Sequence, residues 1–360
     1  MEINENLLKN IRKVEPYVPG EQPQNKVVKL NTNENPYPPA PGVQKALREL
    51  EYDRFRLYPD PTAKNLVDIL AKYYHVGNDQ VFVGVGSDDV LAMCFLTFFN
   101  SEKPVLFPDI TYSFYKVWAG LYGIPYECPK LDGDFRIQRE DYYRDNGGII
   151  FPNPNAPTAI YEELEFIEDI LRHNQDVIVI VDEAYIDFAG RSALELLAKY
   201  QNLIVVQTFS KARSMAGMRI GYAIGDPELV KCLNDVKYSF NSYTLNLPSL
   251  ICGAEAVKDR EYFEKVISEI VDTREWTKKE LRGLGFEFPD AKANFIFAAH
   301  PDYNGEELFQ ALKRENIYVR HWNSERIGQY LRISIGTKEE MGILFDSLKR
   351  YINKQGDYNL

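Results

Sequence analysis

Val177-Ile178-Val179-Ile180-Val181-Asp182-Glu183-Ala184-Tyr185 and, downstream, Leu203-Ile204-Val205-Val206-Gln207-Thr208-Phe209-Ser210-Lys211 share one pattern: a short, unbroken apolar run that ends on polar residues. A strand without polar alternation is buried on both faces, the environment of a parallel sheet covered by helices on either side. Similar runs occur at Val81-Phe82-Val83, Val105-Leu106-Phe107 and Ile149-Ile150-Phe151, with helical patterns between them from Val43 to about Tyr222. The alternation predicts an α/β fold whose mostly parallel sheet is sandwiched by helices. In such sheets ligands bind beyond the carboxyl ends of the strands, so the polar residues after each run are the candidates for chemistry.

The pattern changes on both sides of this region. Pro16, Pro19, Pro23 and Asn31-Thr32-Asn33-Glu34-Asn35-Pro36-Tyr37-Pro38-Pro39 deny the first part of the chain a regular helix or a central strand, so an extended arm is expected. Beyond Pro248 one long helical stretch passes through Val257, Phe263, Ile267, Ile270 and Trp276 to a glycine stop at Gly283 and Gly285. The tail reads strand (295–298), helix (306–314), strands (317–319 and 330–335) and helix (338–352), a small α+β unit. The expected division is an arm over 1–42 that joins the small domain, a large domain over 43–247, and a connecting helix with the small domain over 248–360.

Composition excludes several classes. Forty-two Lys and Arg against 53 Asp and Glu give a net charge of −11 with no basic run, which argues against nucleic acid or an anionic membrane as partner. With 45% apolar and 13% aromatic residues the chain is too hydrophobic for a disordered one. No apolar stretch approaches a membrane span and the start lacks a signal-peptide pattern, so a cytoplasmic location is expected. Cys94, Cys128, Cys232 and Cys252 and the four histidines show no ligand spacing, and no metal site is expected.

Taken singly, the polar residues after the strands have ordinary readings: an Asp there caps a helix, Asn-Pro makes a turn, a lone Lys is solvated. Their order gives them a joint meaning. Lys211 follows Thr208 and Ser210, Asp182 lies 29 residues upstream with Tyr185 three beyond it, and Arg219 lies eight downstream. Pyridoxal 5′-phosphate needs such a set: an amine for the Schiff base, a carboxylate for the pyridine nitrogen, and a cation with hydroxyls for the phosphate. Val81-Phe82-Val83-Gly84-Val85-Gly86-Ser87-Asp88-Asp89 adds a strand, a glycine turn and a helix start, whose amides suit an anion. Read by itself, the same stretch is equally a helix capped by Ser87. Asp89 stands where the third glycine of a dinucleotide fingerprint would fall, which removes a nicotinamide oxidoreductase. Tyr112, after the run ending at Phe107, reads by itself as a core aromatic; beside the lysine set it is expected to stack on a flat cofactor.

Asn155, Asp182, Tyr185, Lys211 and Arg219, in this order and spacing, resemble the invariant set of the fold-type I, class I/II pyridoxal-phosphate aminotransferases, over essentially the whole chain. Within that family the chain is similar to the histidinol-phosphate aminotransferases through Leu30-Asn31-Thr32-Asn33-Glu34-Asn35-Pro36, Tyr58-Pro59-Asp60, Gly86-Ser87-Asp88-Asp89, Thr208-Phe209-Ser210-Lys211-Ala212 and Tyr330-Leu331-Arg332-Ile333-Ser334-Ile335-Gly336-Thr337. The resemblance implies that Asn155 and Tyr185 hydrogen-bond the pyridoxal 3′-oxygen, that Asp182 pairs with the ring nitrogen and that Lys211 carries the Schiff base. It implies that Thr208, Ser210, Arg219 and the amides at Ser87 and Asp88 hold the phosphate. Arg332 would bind a substrate carboxylate, Tyr17, Arg320 and Arg332 would surround a distal phosphate, and Tyr58 would reach into the neighbouring site of a homodimer. The expected reaction is transamination between histidinol phosphate and 2-oxoglutarate, with an aromatic amino acid aminotransferase or a threonine-phosphate decarboxylase as alternatives. A regulatory module without turnover is disfavoured, because only the short arm precedes the catalytic part. One departure stands out: Ala159 occupies a position that is glycine in the family's Asn-Pro loop.

Overall fold

The computed structural model describes residues 3–356; Met1, Glu2 and residues 357–360, which the expected arm and small domain include, lie outside the described residues. The arm differs from expectation at its start. A one-turn helix, α1 (Glu5–Leu8), forms ahead of the first proline, with Asn4 Oδ1 accepting the Asn6 amide. The proline-rich part is otherwise extended and ends in strand β1 (Val28–Lys29).

Seven strands form the main sheet: β2 (Val81–Gly84), β3 (Val105–Leu106), β4 (Tyr126–Glu127), β5 (Gly148–Pro152), β6 (Val179–Asp182), β7 (Leu203–Thr208) and β8 (Gly221–Gly225), in the order β2-β8-β7-β6-β5-β3-β4. Strands β4, β3, β5, β6 and β7 run parallel, and β8 runs antiparallel to both β7 and β2. Successive residues of the central strands enter opposite apolar layers, which explains their continuous apolarity. Ile150, Ile180, Ile204 and Val206 pack under α4 (Gly86–Phe98) and α5 (Phe114–Tyr122), whereas Ile149, Phe151, Val179, Val181 and Val205 pack against α6 (Leu164–His173). At the β2 edge, α2 (Pro41–Arg48) and α3 (Lys64–Tyr74) add Val43, Leu66 and Leu70. Strand β8 carries little sequence signal because glycines bound it. Gly221 is required there: a Cβ would lie 2.3 Å from the Ser87 amide nitrogen.

The single long helix expected after Pro248 is two. Following α7 (Pro227–Phe240), α8 (Leu247–Lys258) ends at Asp259, whose carboxylate accepts the Tyr262 amide at 3.1 Å and so starts α9 (Arg260–Gly283). The C-terminal part holds β9 (Phe295–Ala299), α10 (Gly305–Arg314), β10 (Ile317–Tyr318), β11 (Arg320–His321), β12 (Tyr330–Ser334) and α11 (Lys338–Gly356). Strands β11-β12-β9 make an antiparallel sheet, and β10 pairs in parallel with β1 of the arm. Among the described residues no helix is long and apolar enough to cross a membrane, and no cluster has a metal-ligand composition.

Candidate active site

The carboxyl ends of β2, β5, β6 and β7 open on one cavity of about 430 Å³, closed on its far side by the arm and by β11 and β12. All the residues singled out in the sequence line it except Asn155 and Tyr58.

At one end the donors suit a phosphate. Helix α4 begins at Gly86, two residues earlier than a Ser87 cap would allow, and Asp89 Oδ2 accepts the Val85 amide at 2.9 Å. The amides of Ser87 and Asp88 therefore fall in the first turn, where no intrahelical acceptor exists. Gly86 takes φ 82°, and a Cβ there would come within 2.5 Å of Arg219 Nη2. Arg219 reaches Ser210 Oγ at 3.4 Å and Asp88 Oδ2 at 3.1 Å; Thr208 Oγ1 donates to Ser210 Oγ at 3.0 Å. First-turn amides, two hydroxyls and a guanidinium thus meet in a cradle that only glycine backbone leaves open, and this donor set fits the phosphate of the expected cofactor. Asp88 also accepts from the Tyr112 hydroxyl at 2.6 Å, which fixes that ring at the cavity wall.

Asp182, at the end of β6, is 4% exposed, and burial pushes its carboxyl up to about 7. The Tyr115 hydroxyl, 2.9 Å from Oδ2, and the Ala184 amide, 3.3 Å from Oδ1, pull it back toward the charged form. A carboxylate in so dry a place is suited to pair with a cation such as a protonated pyridine. Tyr115 was not found from the sequence. It lies three residues beyond Tyr112, inside α5, where an aromatic reads as core; its ring does pack on Phe95 and Phe107.

Lys211 Nζ donates to the Thr32 carbonyl of the arm at 3.0 Å. Burial first, and then the Arg332 charge, lower its ammonium to about 8, against the pull of Glu34 and Asp88. Glu34 itself is held below the ordinary carboxylate value: burial opposes this, but hydrogen bonds from Lys29 and Thr32 prevail. The Tyr185 ring lies 5.9 Å from Lys211 Nζ.

At the other end Arg320 and Arg332 face each other across β11 and β12. Neither forms an ion pair among the described residues. Their guanidinium carbons stand 5.5 and 5.3 Å from the Trp322 ring centroid, and Arg332 also lies 5.3 Å from that of Phe295. Arg332 donates to the Asn31 carbonyl at 2.8 Å, but its buried Nε has no partner. Like charges directly opposite on a sheet repel, so an unpaired pair of this kind is a site for an anion. Tyr17 stacks on Phe114 with centroids 4.2 Å apart, beside this end.

Asn155 lies behind the cavity wall. Its Nδ2 donates to the Ile110 carbonyl and to Thr158 Oγ1, and its Oδ1 accepts from Thr111. Ala159 adopts φ 62°, the left-handed region, yet the loop closes: its amide donates to the Asn155 carbonyl at 2.7 Å and its carbonyl accepts from Lys292 at 2.8 Å. Tyr58 is 82% exposed and stacks on Tyr243, away from its own chain's cavity.

Residues 25–348 match the family described as Aminotransferase class I and II. The chain is 52% identical to the histidinol-phosphate aminotransferase of Clostridium botulinum strain Okra over 350 residues, covering 97% of this chain and 98% of that one. It is 51% identical to the enzyme of the same name from Lactococcus lactis subsp. cremoris over 351 residues, covering 97% and 99%. The crystal structure of histidinol-phosphate aminotransferase from Sinorhizobium meliloti in complex with pyridoxal-5′-phosphate has the same fold, with a TM-score of 0.82, 22% identity and 91% of both chains covered.

Proposed function

The chain belongs to the class I and II aminotransferases, and from that premise we propose that it moves an amino group between histidinol phosphate and 2-oxoglutarate, as a cytoplasmic homodimer. Its cofactor is pyridoxal 5′-phosphate. Bound in the cavity, the cofactor supplies an aldehyde for the substrate amine and a protonated pyridine that withdraws electrons from the carbon losing its proton.

The residues of the chain do the rest. The first turn of α4, Ser210, Thr208 and Arg219 would hold the phosphate; Asp182, drawn toward its charged form by Tyr115 and the Ala184 amide, would pair with the protonated ring nitrogen; Tyr112 would pack against the ring. Lys211 would hold the cofactor through Nζ, and the same atom would be the free amine of the site when substrate takes its place. A free amine at Nζ, in a cavity whose burial and Arg332 charge already lower its proton affinity, would take the α-proton and return one. Tyr17, Arg320 and Arg332 receive the far end of the substrate.

The observation that carries the choice of substrate is the unpaired Arg320 and Arg332 pair at the distal end of the Lys211 cavity. It suits a phosphate in one half-reaction and a dicarboxylate in the other, as bidentate guanidinium recognition allows. The relatives named histidinol-phosphate aminotransferase, at 51–52% identity, support the same reading. A panel of donors with 2-oxoglutarate tests it: histidinol phosphate is expected to give glutamate faster than phenylalanine or tyrosine does. Faster turnover of the aromatic donors would make the protein an aromatic aminotransferase, and carbon dioxide release without a keto acid would make it a decarboxylase.

The dimer is supported by an exposed apolar surface in which Tyr52, Phe55, Leu57, Tyr58 and Phe240 are each more than half exposed. Tyr58 there would serve the partner's cavity. Mixing Lys211→Ala and Tyr58→Ala chains tests this, because heterodimers regain one intact site if the tyrosine acts across the interface.

A further inference from the structure

Strand β12 meets the arm at Asn33, and every polar atom of that residue has a partner. Its backbone N–H donates to Ser334 Oγ at 2.9 Å and its carbonyl accepts from Asn294 Nδ2 at 3.0 Å. Its Oδ1 accepts from the Ser334 hydroxyl at 2.9 Å, and its Nδ2 donates to the Tyr185 hydroxyl at 3.0 Å. Asn33 and Ser334 are 1% and 2% exposed, so no water competes for these bonds. Asn33 also takes φ 56°, a conformation that asparagine tolerates better than most residues.

The chain of bonds has a direction. Ser334 already accepts the Asn33 amide, and its single hydroxyl proton goes to Asn33 Oδ1, which turns the NH2 of that side chain toward Tyr185. An NH2 group only donates. The Tyr185 oxygen therefore accepts from the arm and keeps its own proton for the cavity that its ring lines. With the amide reversed, the Ser334 proton would lose its acceptor and Tyr185 would spend its proton on Asn33.

We propose that Ser334 and Asn33 are positioning residues that fix Tyr185 as a hydrogen-bond donor toward the cofactor, so that the arm and β12 set the proton affinity of the bound chromophore. The inference rests on the reading of the cavity as the pyridoxal-phosphate site. A donor to an anionic oxygen of the chromophore stabilises its deprotonated form; weakening that donor raises the pH at which the visible band changes.

The test is a spectrophotometric pH titration of the holoenzyme. Asn33→Gly keeps a backbone suited to the left-handed region and removes the amide; Ser334→Ala keeps the amide and removes what orients it. Each is expected to move the midpoint to higher pH by roughly 0.3–1 unit, the worth of one neutral hydrogen bond. In a Tyr185→Phe background, Asn33→Gly is expected to add no further shift, which a merely structural role would not produce. Should Asn33→Gly not fold, Ser334→Ala carries the test by itself. Unchanged midpoints, or an undiminished Asn33→Gly shift without the tyrosine, would overturn the relay. A protein that takes up no pyridoxal phosphate would overturn both the relay and the reading beneath it.

Discussion

The two ends of the cavity are built by different means. At the sheet edge most functional groups follow a strand closely: Asp182 ends β6, Thr208 ends β7, and Ser210 and Lys211 come two and three residues later. At the distal end Tyr17 comes from the arm, and Arg320 and Arg332 from facing strands; Asn33 and Ser334, which tie these elements together, are 301 residues apart in sequence. The first end is rigid because parallel strands hold it. The second exists only when the arm and the C-terminal sheet are both in place. Under the proposed function, fixed chemistry sits on the sheet, and recognition sits where the N-terminal arm meets the C-terminal sheet.

If that division holds, Lys211→Ala gives the largest effect of any substitution. Turnover is expected to fall by roughly ten-thousand-fold or more, because in the proposed mechanism the same Nζ binds cofactor and moves protons. The visible band of the bound chromophore should shift or vanish. Retention of both activity and spectrum would break the assignment of the sheet edge.

The distal end should answer differently. Arg332→Ala is expected to raise the KM for 2-oxoglutarate by about 30- to 1000-fold, the usual cost of removing a buried charge from its anion, with a smaller change in kcat. Arg320→Ala, nearer to solvent, should cost about threefold. The two ends are also coupled electrostatically, since the Arg332 charge helps hold Lys211 down to about 8. Only the neutral amine captures an aldehyde, so cofactor uptake by the apoenzyme is expected to rise tenfold per pH unit below about 8 and then to level off. Without Arg332 the levelling point moves to higher pH. A stopped-flow pH series on both proteins decides this, and identical profiles would show the ends to be independent.

Much of the sheet edge was legible in the sequence because its residues are local: strand, polar turn and helix start lie within a few positions of each other. What escaped lies across packing contacts. Tyr115 reads as an ordinary core aromatic of α5, and only the fold sets its hydroxyl 2.9 Å from Asp182. Strand β8 escaped because Gly221, needed for close approach to the Ser87 amide, weakens the apolar run. The break at Asp259 escaped because apolar spacing continues on both sides of it. Asn33 could be seen only as part of a motif, since its partner lies at the other end of the chain. Tyr115→Phe tests the most consequential of these. Losing a donor to a buried carboxylate is expected to weaken cofactor binding roughly tenfold, and more at pH 6 than at pH 8, because Asp182 then protonates more readily. A titration of apoenzyme with pyridoxal phosphate at both pH values measures it.

The smallest expected effect is at Ala159, in the loop after β5: its amide donates to the Asn155 carbonyl and its carbonyl accepts from the Lys292 amide. Three terms decide the effect of Ala159→Gly. Release from the left-handed region stabilises by about 1–2 kcal/mol. Loss of a methyl group that is fully buried costs about 0.8 kcal/mol, and the freer unfolded chain costs a further 0.5–1 kcal/mol or so. The terms nearly cancel, and urea unfolding should place the variant within about 0.5 kcal/mol of the parent, with cofactor affinity unchanged. That near-balance is how alanine holds a place that suits glycine: the methyl, buried in the same core cluster as Tyr185 and Phe295, offsets the backbone strain. A gain well above 1 kcal/mol would mean that the methyl contributes nothing and that the loop carries its backbone strain uncompensated.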